Sequence, residues 1–440
     1  MSIENIIGLV KLIYDNRLDN DPVNLSLLHA IAFGDNNKIA TLQRRIQPKI
    51  LRKQLTGSPF KEPDESVDGS IRFALTETGM PVGFYPEKEP HFLIAGQTGV
   101  GKTVILLLTH AEAILRGHTS WLFVKSREAR QLLRIKRDTI VINFDGSLKI
   151  GSLLKHPFLS QDAWINRWLD IFVQAFGTYE GTKYFLVGHL NKLLERNSNS
   201  TIADLYRWIK SLNYPAISRF ARYQESALDR LVIVNSEFGK TLEPSDVELG
   251  TLIKNNVHII WEIQHLTSEE QVFIVNLLIN WLFHYKVNSE GMGMHFIGVD
   301  DANLIFDASF ERRPDRGLPE ISHIMSMARH ARFYIQVCSQ IPHQLGASIH
   351  SNAFTKIMLS LGNGKDIDCM IQSMGSKYKE QQLYCHRLKE REAIVKFSGR
   401  YTEPFLARIP EIRIRKERIS NEEIRRNNKR ILSQFRENRG

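Results

Sequence analysis

Residues Gly96-Gln-Thr-Gly-Val-Gly-Lys-Thr103 form a glycine-rich segment that matches the P-loop pattern GxxxxGK[ST] at every fixed position. A short apolar run, 91–95, precedes the segment, and a run with helical periodicity, 102–116, follows it and ends at Gly117. Glycines let successive backbone N–H groups turn toward a bound anion, and the positive end of the helix dipole adds to that attraction. This order of strand, loop and helix predicts a phosphate-binding loop rather than a chance glycine-rich turn.

The polar positions of this loop have expected roles in binding a nucleoside triphosphate. The ammonium group of Lys102 should reach the β- and γ-phosphates, and the hydroxyl of Thr103 should bind Mg²⁺. ATP and Mg²⁺ are therefore the predicted cofactors. The predicted nucleotide-binding residues are Gly96, Gln97, Thr98, Gly99, Val100, Gly101, Lys102 and Thr103.

Hydrolysis needs a second, acidic site that holds magnesium and orients water, and the segment His295–Asp301 supplies one. It is a mostly apolar run that ends in two carboxylates. The pattern predicts that Asp300 helps to bind magnesium, through water, and that Asp301 polarises the attacking water. The alternative is that Asp300 and Asp301 only cap the segment that follows.

Three further candidates lie at the two ends of a later apolar run, Phe333–Gln340. A glutamine at the end of such a strand can contact the γ-phosphate or the water, although its chemistry alone barely separates Gln340 from a surface glutamine. Arg329 and Arg332 precede the run and could stabilise transition-state charge across a subunit boundary. Arginines in such positions are more often solvated, so the residues by themselves leave this role open.

Apolar runs and helical runs alternate through most of the chain. The runs 120–124, 139–144 and 257–263 are apolar without alternation, which is typical of parallel strands covered on both faces. Residues from about 160 to 235 show helical periodicity only, with an aromatic residue at every fourth position from Trp164 to Phe176. The pattern predicts an α/β fold, a RecA-like P-loop NTPase with a mainly parallel sheet, flanking helices and an all-α insertion that packs on itself.

The same patterns predict how the chain is divided. A capping box at Ser420 and Glu423 predicts that a helix begins at Asn421, and whether this basic helix docks on its own chain or contacts DNA or a neighbouring subunit stays open. The predicted units are a helical N-terminal region and linker (1–70), an ATPase core (71–159 and 236–410), the all-α insertion (160–235) and a basic C-terminal helix (411–440).

Charge and cysteine content narrow the choice of partner and compartment. The 440 residues carry a net charge of +10, with a pI near 9.4, which favours an anionic partner such as DNA. The three cysteines have neither disulfide nor zinc spacing, so they are expected to be free thiols in a reducing compartment. Without a secretory signal or a membrane-spanning run, the chain is predicted to be cytoplasmic and not membrane-bound.

The motifs together resemble the HerA/FtsK superfamily of P-loop motors, which includes the coupling ATPases of conjugation and type IV secretion. The resemblance is carried by the P-loop, by Asp300 and Asp301, and by the stretch Ala328–Pro342. Members often have a Gly-Arg pair before the last core strand, which ends in Ser-Gln or Thr-Gln. Arg329 and Gln340 occupy those places, with alanine instead of glycine before the arginine.

The resemblance covers about residues 75 to 410, because 144–153 and 392–410 are also similar to segments of coupling ATPases. It implies a homo-oligomer, a hexameric ring that binds ATP between neighbours and draws duplex DNA through its centre. It also implies that Arg329 acts on the neighbouring subunit's nucleotide, with Arg332 in reserve. The predicted catalytic residues are Lys102, Asp300, Asp301, Gln340 and Arg329, and the predicted metal ligands are Thr103 and Asp300.

Two departures from the family refine the expected function. Asp301 stands where members usually have glutamate, which permits slow turnover, and neither an N-terminal β-barrel nor a membrane anchor is evident. These features predict a motor that serves a nuclease or other effector in DNA processing or antiviral defence. Conjugative coupling, DNA packaging and a non-hydrolysing, nucleotide-dependent assembly scaffold remain alternatives. A GTPase does not fit, because Asn191–Leu194 lacks the aspartate of the guanine-binding motif.

Overall fold

The computed structural model describes residues 3–15, 18, 21–56, 58–235, 237–244, 248–289, 291–311, 320–327, 330–411 and 418–437. The strands in these ranges are β1 (Ile71–Thr76), β2 (Pro81–Phe84), β3 (Phe92–Ala95), β4 (Thr119–Val124), β5 (Thr139–Ile142), β6 (His258–Glu262), β7 (His295–Val299), β8 (Phe333–Ser339), β9 (Thr355–Met358), β10 (Glu392–Phe397) and β11 (Phe405–Arg408).

The α-helices flank this sheet and also form two regions of their own, at the N-terminus and between β5 and β6. They are α1 (Ile3–Asp15), α2 (Pro22–Ala32), α3 (Lys38–Thr56), α4 (Lys102–Leu115), α5 (Leu132–Ile135), α6 (Gln161–Phe176), α7 (Glu180–Arg196), α8 (Ile202–Ser211), α9 (Arg219–Val234), α10 (Glu237–Thr241), α11 (Leu249–Lys254), α12 (Ser268–Val287), α13 (Ala308–Glu311), α14 (Glu320–Met327), α15 (Ala347–Asn352), α16 (Gly364–Met374), α17 (Lys379–Cys385) and α18 (Asn421–Glu437).

Seven neighbouring strands form the parallel part of the sheet, in the order β9-β3-β8-β7-β4-β6-β5. All of their residues are buried, which explains why these segments are apolar without alternation. Because the strands are parallel, the carboxyl ends of β3, β7 and β8 lie at one edge of the sheet. The predicted P-loop fold, with a mainly parallel sheet and flanking helices, is confirmed.

Four antiparallel strands extend the sheet beyond β9, in the order β10, β11, β1 and β2. β10 and β11 lie within 392–410, one of the two further segments that are similar to coupling ATPases. No pattern predicted β1 and β2, because β1 mixes buried and exposed positions without a clear period and β2 has only four residues. The sheet is therefore wider than the sequence indicates, and its added part is antiparallel.

Helices occupy the predicted insertion, but they do not pack only on one another. The aromatic stripe of α6 is buried, and the rings of Trp168, Phe172 and Phe176 all contact Phe273 of α12. Helix α12 is buried along most of its length, because it packs against both the sheet and the insertion. The expectation of an insertion that packs on itself was therefore incomplete, since α6 lies on α12, which follows β6 and is outside the insertion.

The N-terminal helices, which the sequence predicts, have a hydrophobic core of their own. Asp21 caps α2 and accepts hydrogen bonds or ion pairs from Arg45 and Lys49 of α3, at 2.8 and 3.5 Å. The buried core residues of this unit are Leu9, Ile13, Leu28, Ile31, Ile39, Leu42, Ile46 and Ile50.

The C-terminal helix begins at Asn421, as predicted, and docks on its own chain. The side-chain amide of Asn428 accepts from the backbone N–H of Val141 and donates to its carbonyl, which satisfies the free edge of β5. The buried guanidinium of Arg130 pairs with Glu262 and also donates to the carbonyl of Ile419, just before the helix. The sequence left open whether this helix docks on its own chain or contacts DNA or a neighbouring subunit, and the structure shows the helix docked on its own chain.

Among the described residues, none of the helices combines the length and the hydropathy that a membrane span requires.

Candidate nucleotide-binding site

The loop between β3 and α4 has the backbone geometry that its glycines permit. Gly99 and Gly101 have φ values of 84° and 110°, in the left-handed region that side chains disfavour. At Gly96 a Cβ atom would lie 2.8 Å from Val100 and 2.9 Å from Leu359, so only glycine fits. The loop is held by hydrogen bonds from the N–H of Gly96 to the carbonyl of Ser339 and from the next N–H to Ser360. It thus lies at the carboxyl ends of β8 and β9.

Lys102 begins α4 and is buried, with its Nζ atom 2.8 Å from the carbonyl oxygen of Gln97. Burial lowers the pKa of Lys102, while the nearby Asp300 and Asp301 carboxylates oppose that shift. The ammonium group therefore lies over the loop and is held by a single backbone carbonyl, which phosphate oxygens can replace.

Asp300 follows β7 and is also buried, next to the first turn of α4. The hydroxyl of Thr103 donates to its Oδ2 atom across 3.4 Å. Burial raises the pKa of Asp300, although Lys102 opposes this change. A desolvated carboxylate beside a hydroxyl offers the hard oxygen ligands that Mg²⁺ prefers. The described residues include no group of three or more acidic, His or Cys side chains able to hold a metal, so Mg²⁺ would take its other ligands from phosphate and water.

Asp301 does not cap the segment that follows it, which was the alternative to a site role. It has a φ of 52° and makes no side-chain cap hydrogen bond. Its two oxygens accept instead from Lys125 Nζ at 2.8 Å and from Gln340 Nε2 at 3.3 Å. The carboxylate is therefore fixed between the end of β4 and the end of β8.

Gln340 joins this carboxylate to the P-loop. Its Oε1 atom accepts a hydrogen bond from the hydroxyl of Thr98 at 2.8 Å, while its Nε2 atom donates to Asp301. The amide therefore spans the two halves of the site, which supports its selection over a surface glutamine. Lys125 is the site residue that sequence reasoning missed; only the adjacency of β4 and β7 brings it to Asp301, 176 residues away.

The two candidate arginines are not placed equally. Arg329 lies outside the described residues. Arg332 precedes β8 with a φ of 51°, and its guanidinium donates to the carbonyl of Met292 at 3.4 Å. Arg332 and Gln340 flank the seven residues of β8, so their backbones are roughly 26 Å apart, and Arg332 lies far from the P-loop that Gln340 contacts in the same chain. The structure brings together Lys102, Thr103, Asp300, Asp301 and Gln340, but not Arg332.

A cleft of about 550 Å³ opens beside this cluster. One wall carries a hydrogen bond between His343 and the buried Asp366, with Nδ1 and Oδ1 2.7 Å apart. The cleft is lined by Gln97, Thr98, Gln340, Ile341, His343, Gln344, Gly362, Asn363 and Asp366.

Known structures with a similar fold include VirB4 and conjugative coupling proteins. VirB4 of Thermoanaerobacter pseudethanolicus matches with a TM-score of 0.63 and 14% identity, over 79% of this chain and 98% of that one. The bacterial conjugative coupling protein TrwBdeltaN70, in its unbound monoclinic form, gives 0.61 and 13%, over 83% and 98%. Plasmid coupling protein TrwB in complex with ADP and Mg²⁺ gives 0.62 and 12%, over 82% and 93%.

The sequence matches no protein-family model, and no curated protein sequence matches it. The structural likeness therefore rests on the course of the backbone and not on sequence. The chain has the P-loop ATPase fold of VirB4 and TrwB, the fold that the resemblance to the HerA/FtsK superfamily implied.

Proposed function

We propose that this chain is an ATP-driven DNA translocase of the HerA/FtsK type, which hydrolyses ATP at the subunit interfaces of a hexameric ring. The observation that carries the proposal is the meeting of the P-loop with Asp300, Asp301 and Gln340 at one edge of the sheet. A phosphate-binding loop, a buried carboxylate beside a hydroxyl and a positioned second carboxylate are the parts that phosphoryl transfer needs.

Each residue of this cluster has a defined part in hydrolysis. Lys102 exchanges the carbonyl of Gln97 for the β- and γ-phosphate oxygens, and Thr103 and Asp300 would hold Mg²⁺. The ion, when bound, would supply positive charge that offsets the negative charge of the phosphates. Asp301 accepts a hydrogen bond from the attacking water and so fixes its direction of approach. Gln340 keeps that carboxylate in register with the P-loop through Thr98.

The position of Arg332 supports a site shared between subunits. Arg332 lies at the amino end of β8, on the opposite edge of the sheet from the P-loop of the same chain. Arg329 precedes Arg332 by three residues in the sequence. An arginine from the segment before β8 therefore fits a role on a neighbour's γ-phosphate, as the family resemblance implies, better than a role within one chain.

The uneven distribution of charge supports DNA as the partner. Helix α3 carries six Lys or Arg and no acidic residue, and residues 408–440 carry eleven against five. Since the whole chain has a net charge of +10, the remainder has a net charge of −2. Positive charge concentrated at two places is the electrostatic pattern of proteins that bind the phosphate backbone of DNA.

The biological setting is proposed from the resemblance alone: cytoplasmic DNA processing or antiviral defence beside a nuclease or other effector. A neighbouring nuclease gene would support it, whereas relaxase or capsid genes would favour conjugative coupling or packaging. A non-hydrolysing scaffold is favoured by one observation, that the short Asp301 side chain, which stands in place of glutamate, is paired with the Lys125 ammonium and is therefore a weaker acceptor for water. ATP turnover with saturating DNA separates it from a motor.

The test is ATP turnover by the full-length chain, with and without duplex DNA. We expect turnover that DNA stimulates, and we expect Lys102→Ala to lose on the order of a hundredfold or more, because Lys102 meets the charge that develops on the phosphates. Lys254→Ala, which removes an exposed lysine at the end of α11, is the matched control. A Lys102→Ala protein with near wild-type turnover would remove the P-loop from the mechanism.

A further inference from the structure

The Lys125–Asp301 ion pair is a feature of the site that the mechanism above does not use. Lys125 Nζ lies 2.8 Å from Asp301 Oδ2, and both side chains are partly exposed, at 27% and 29%. An exposed ion pair of this kind contributes little stability, so its effect on the fold is small. Its position is what matters, because Asp301 is the carboxylate predicted to orient water.

Both oxygens of Asp301 have a partner, and the two partners come from different sides. Gln340 donates to Oδ1 and links the carboxylate to Thr98 of the P-loop, whereas Lys125 donates to Oδ2 from the end of β4. The Lys125 ammonium, 2.8 Å from Oδ2, competes with water for this carboxylate and withdraws charge from it, so Asp301 is a weaker acceptor for water while the ion pair is made. Lys125 is the partner that can leave, because it has no other hydrogen bond in the described part of the chain.

Lys125 is also close enough to find another anion in the same site. Two hydrogen bonds, of 3.3 and 2.8 Å, connect Asp301 through Gln340 to Thr98, which belongs to the phosphate-binding loop. A lysine ammonium on a flexible four-carbon stem can cover such a distance, since it is a compact charge without fixed orientation. The γ-phosphate of ATP is the strongest anion that this region can receive, and ADP does not bring it.

We propose that Lys125 exchanges Asp301 for the γ-phosphate when ATP binds, and so reads the third phosphate and frees Asp301 to orient water. This inference rests on the proposed function, because it assumes that ATP is the ligand of the P-loop. In the bound state Lys125 would contact the γ-phosphate of ATP directly. Discrimination between ATP and ADP would then depend on Lys125 as well as on Lys102 of the P-loop.

The test compares the affinities of full-length protein for ATPγS and for ADP, each with Mg²⁺, by isothermal titration calorimetry. Lys125→Ala should weaken ATPγS binding by on the order of tenfold, the effect of one charge-assisted hydrogen bond, and leave ADP binding unchanged. Lys125→Arg should retain most of the ATPγS affinity. Asp301→Asn should keep or raise it, because the substitution releases Lys125 and removes a negative charge. Lys254→Ala is the control for loss of one exposed lysine.

The outcomes separate this inference from the proposed function. Unchanged ATPγS affinity in Lys125→Ala would mean that Lys125 stays on Asp301, and an equal loss for ATPγS and ADP would mean a general effect; either result overturns the exchange. The variant's retained ADP affinity shows that it is folded. Failure of the proposed function would be seen in a different measurement, as absent ATP turnover by the wild-type protein. Wild-type protein that binds neither nucleotide would overturn both.

Discussion

Strands β7 and β8 lie side by side, yet their two ends have opposite character. Their carboxyl ends lead into Asp300, Asp301 and Gln340, which are hydrogen-bonded to the P-loop and to each other. Arg332 and the buried Lys286 lie near their amino ends, and Lys286 donates to the carbonyl oxygens of Gly293 and Arg332 at 2.6 and 3.4 Å. In the proposed function the carboxyl ends bind the nucleotide with its metal, and the arginine segment before β8 supplies positive charge.

The distance between the two ends shows why they cannot serve one reaction within a single chain. Arg332 and Gln340, on either side of β8, are roughly 26 Å apart, more than an arginine side chain can cross. A head-to-tail contact between copies would instead place the amino end of one sheet near the carboxyl end of the next, and such contacts form a ring when the rotation between copies closes. The comparison therefore predicts that the two ends belong to one active site only in the assembly.

The largest expected effect is in an experiment that mixes two inactive proteins. Lys102→Ala disables the carboxyl end, and Arg329→Ala removes the proposed trans arginine, which in well-studied NTPases is worth on the order of 10³-fold or more in rate. Mixed rings contain interfaces where an intact P-loop meets an intact arginine, so ATP turnover should partly return.

The matched control for that experiment mixes Lys102→Ala with Asp300→Asn. Both changes lie at the carboxyl end, so no subunit of the mixture has a complete site and activity should stay absent. Mixed rings must first be demonstrated, for example by native mass spectrometry of differently tagged subunits. If Arg329→Ala mixtures stay inactive while Arg332→Ala mixtures recover, the role belongs to Arg332. A monomer with full ATP turnover would contradict the shared site.

A smaller effect is expected from Gln340, which joins parts of the carboxyl end. Gln340→Ala removes the link between Thr98 and Asp301, and we expect kcat to fall by roughly ten- to a hundredfold because the carboxylate loses its register with the P-loop. KM should change little, since the phosphate contacts remain. Gln344→Ala is the control, because Gln344 lines the same cleft. A change confined to KM would show that Gln340 serves nucleotide binding and not the positioning of Asp301.

Sequence patterns predicted which residues lie at the carboxyl ends of the strands better than they predicted the contacts among those residues. The P-loop, the acidic pair after β7 and the glutamine after β8 follow apolar strands, and parallel strands bring such ends together. Lys125 carries no comparable signal, because its pairing with Asp301 depends on β4 lying beside β7. Strand order is set by long-range packing, which local periodicity does not encode.

The same distinction holds away from the site. The start of α18 was predictable from its capping box, but its docking was not, because this depends on Asn428 meeting the edge of β5 and on Arg130 meeting Glu262. The insertion was recognisable as helical from its period. That α6 would lie on α12 was not, since an aromatic stripe shows that a face is buried without showing its partner.

The smallest expected effect concerns Lys286, near the amino ends of β7 and β8, and is a change in the free energy of unfolding with pH. Burial, and then the charge of Arg332, lower the pKa of Lys286 from an ordinary 10.5 to about 7. Between these two values the unfolded chain binds a proton that the folded chain does not, so the free energy of unfolding should rise with pH. This contribution is fully present above about pH 10.5 and is lost as the pH falls through about 7.

Lys286→Met removes this titration and keeps an apolar side chain of similar length. Relative to the variant, the wild type should gain about 2 kcal/mol of unfolding free energy between pH 7 and 9, measured by urea denaturation. The loss of hydrogen bonds to Gly293 and Arg332 shifts the variant's stability by the same amount at every pH, so only the slope reports the titration. Lys254→Met, at an exposed site, should follow the wild-type slope. If Lys286→Met and wild type gave parallel curves, the positive charge at the amino end would not be suppressed by burial.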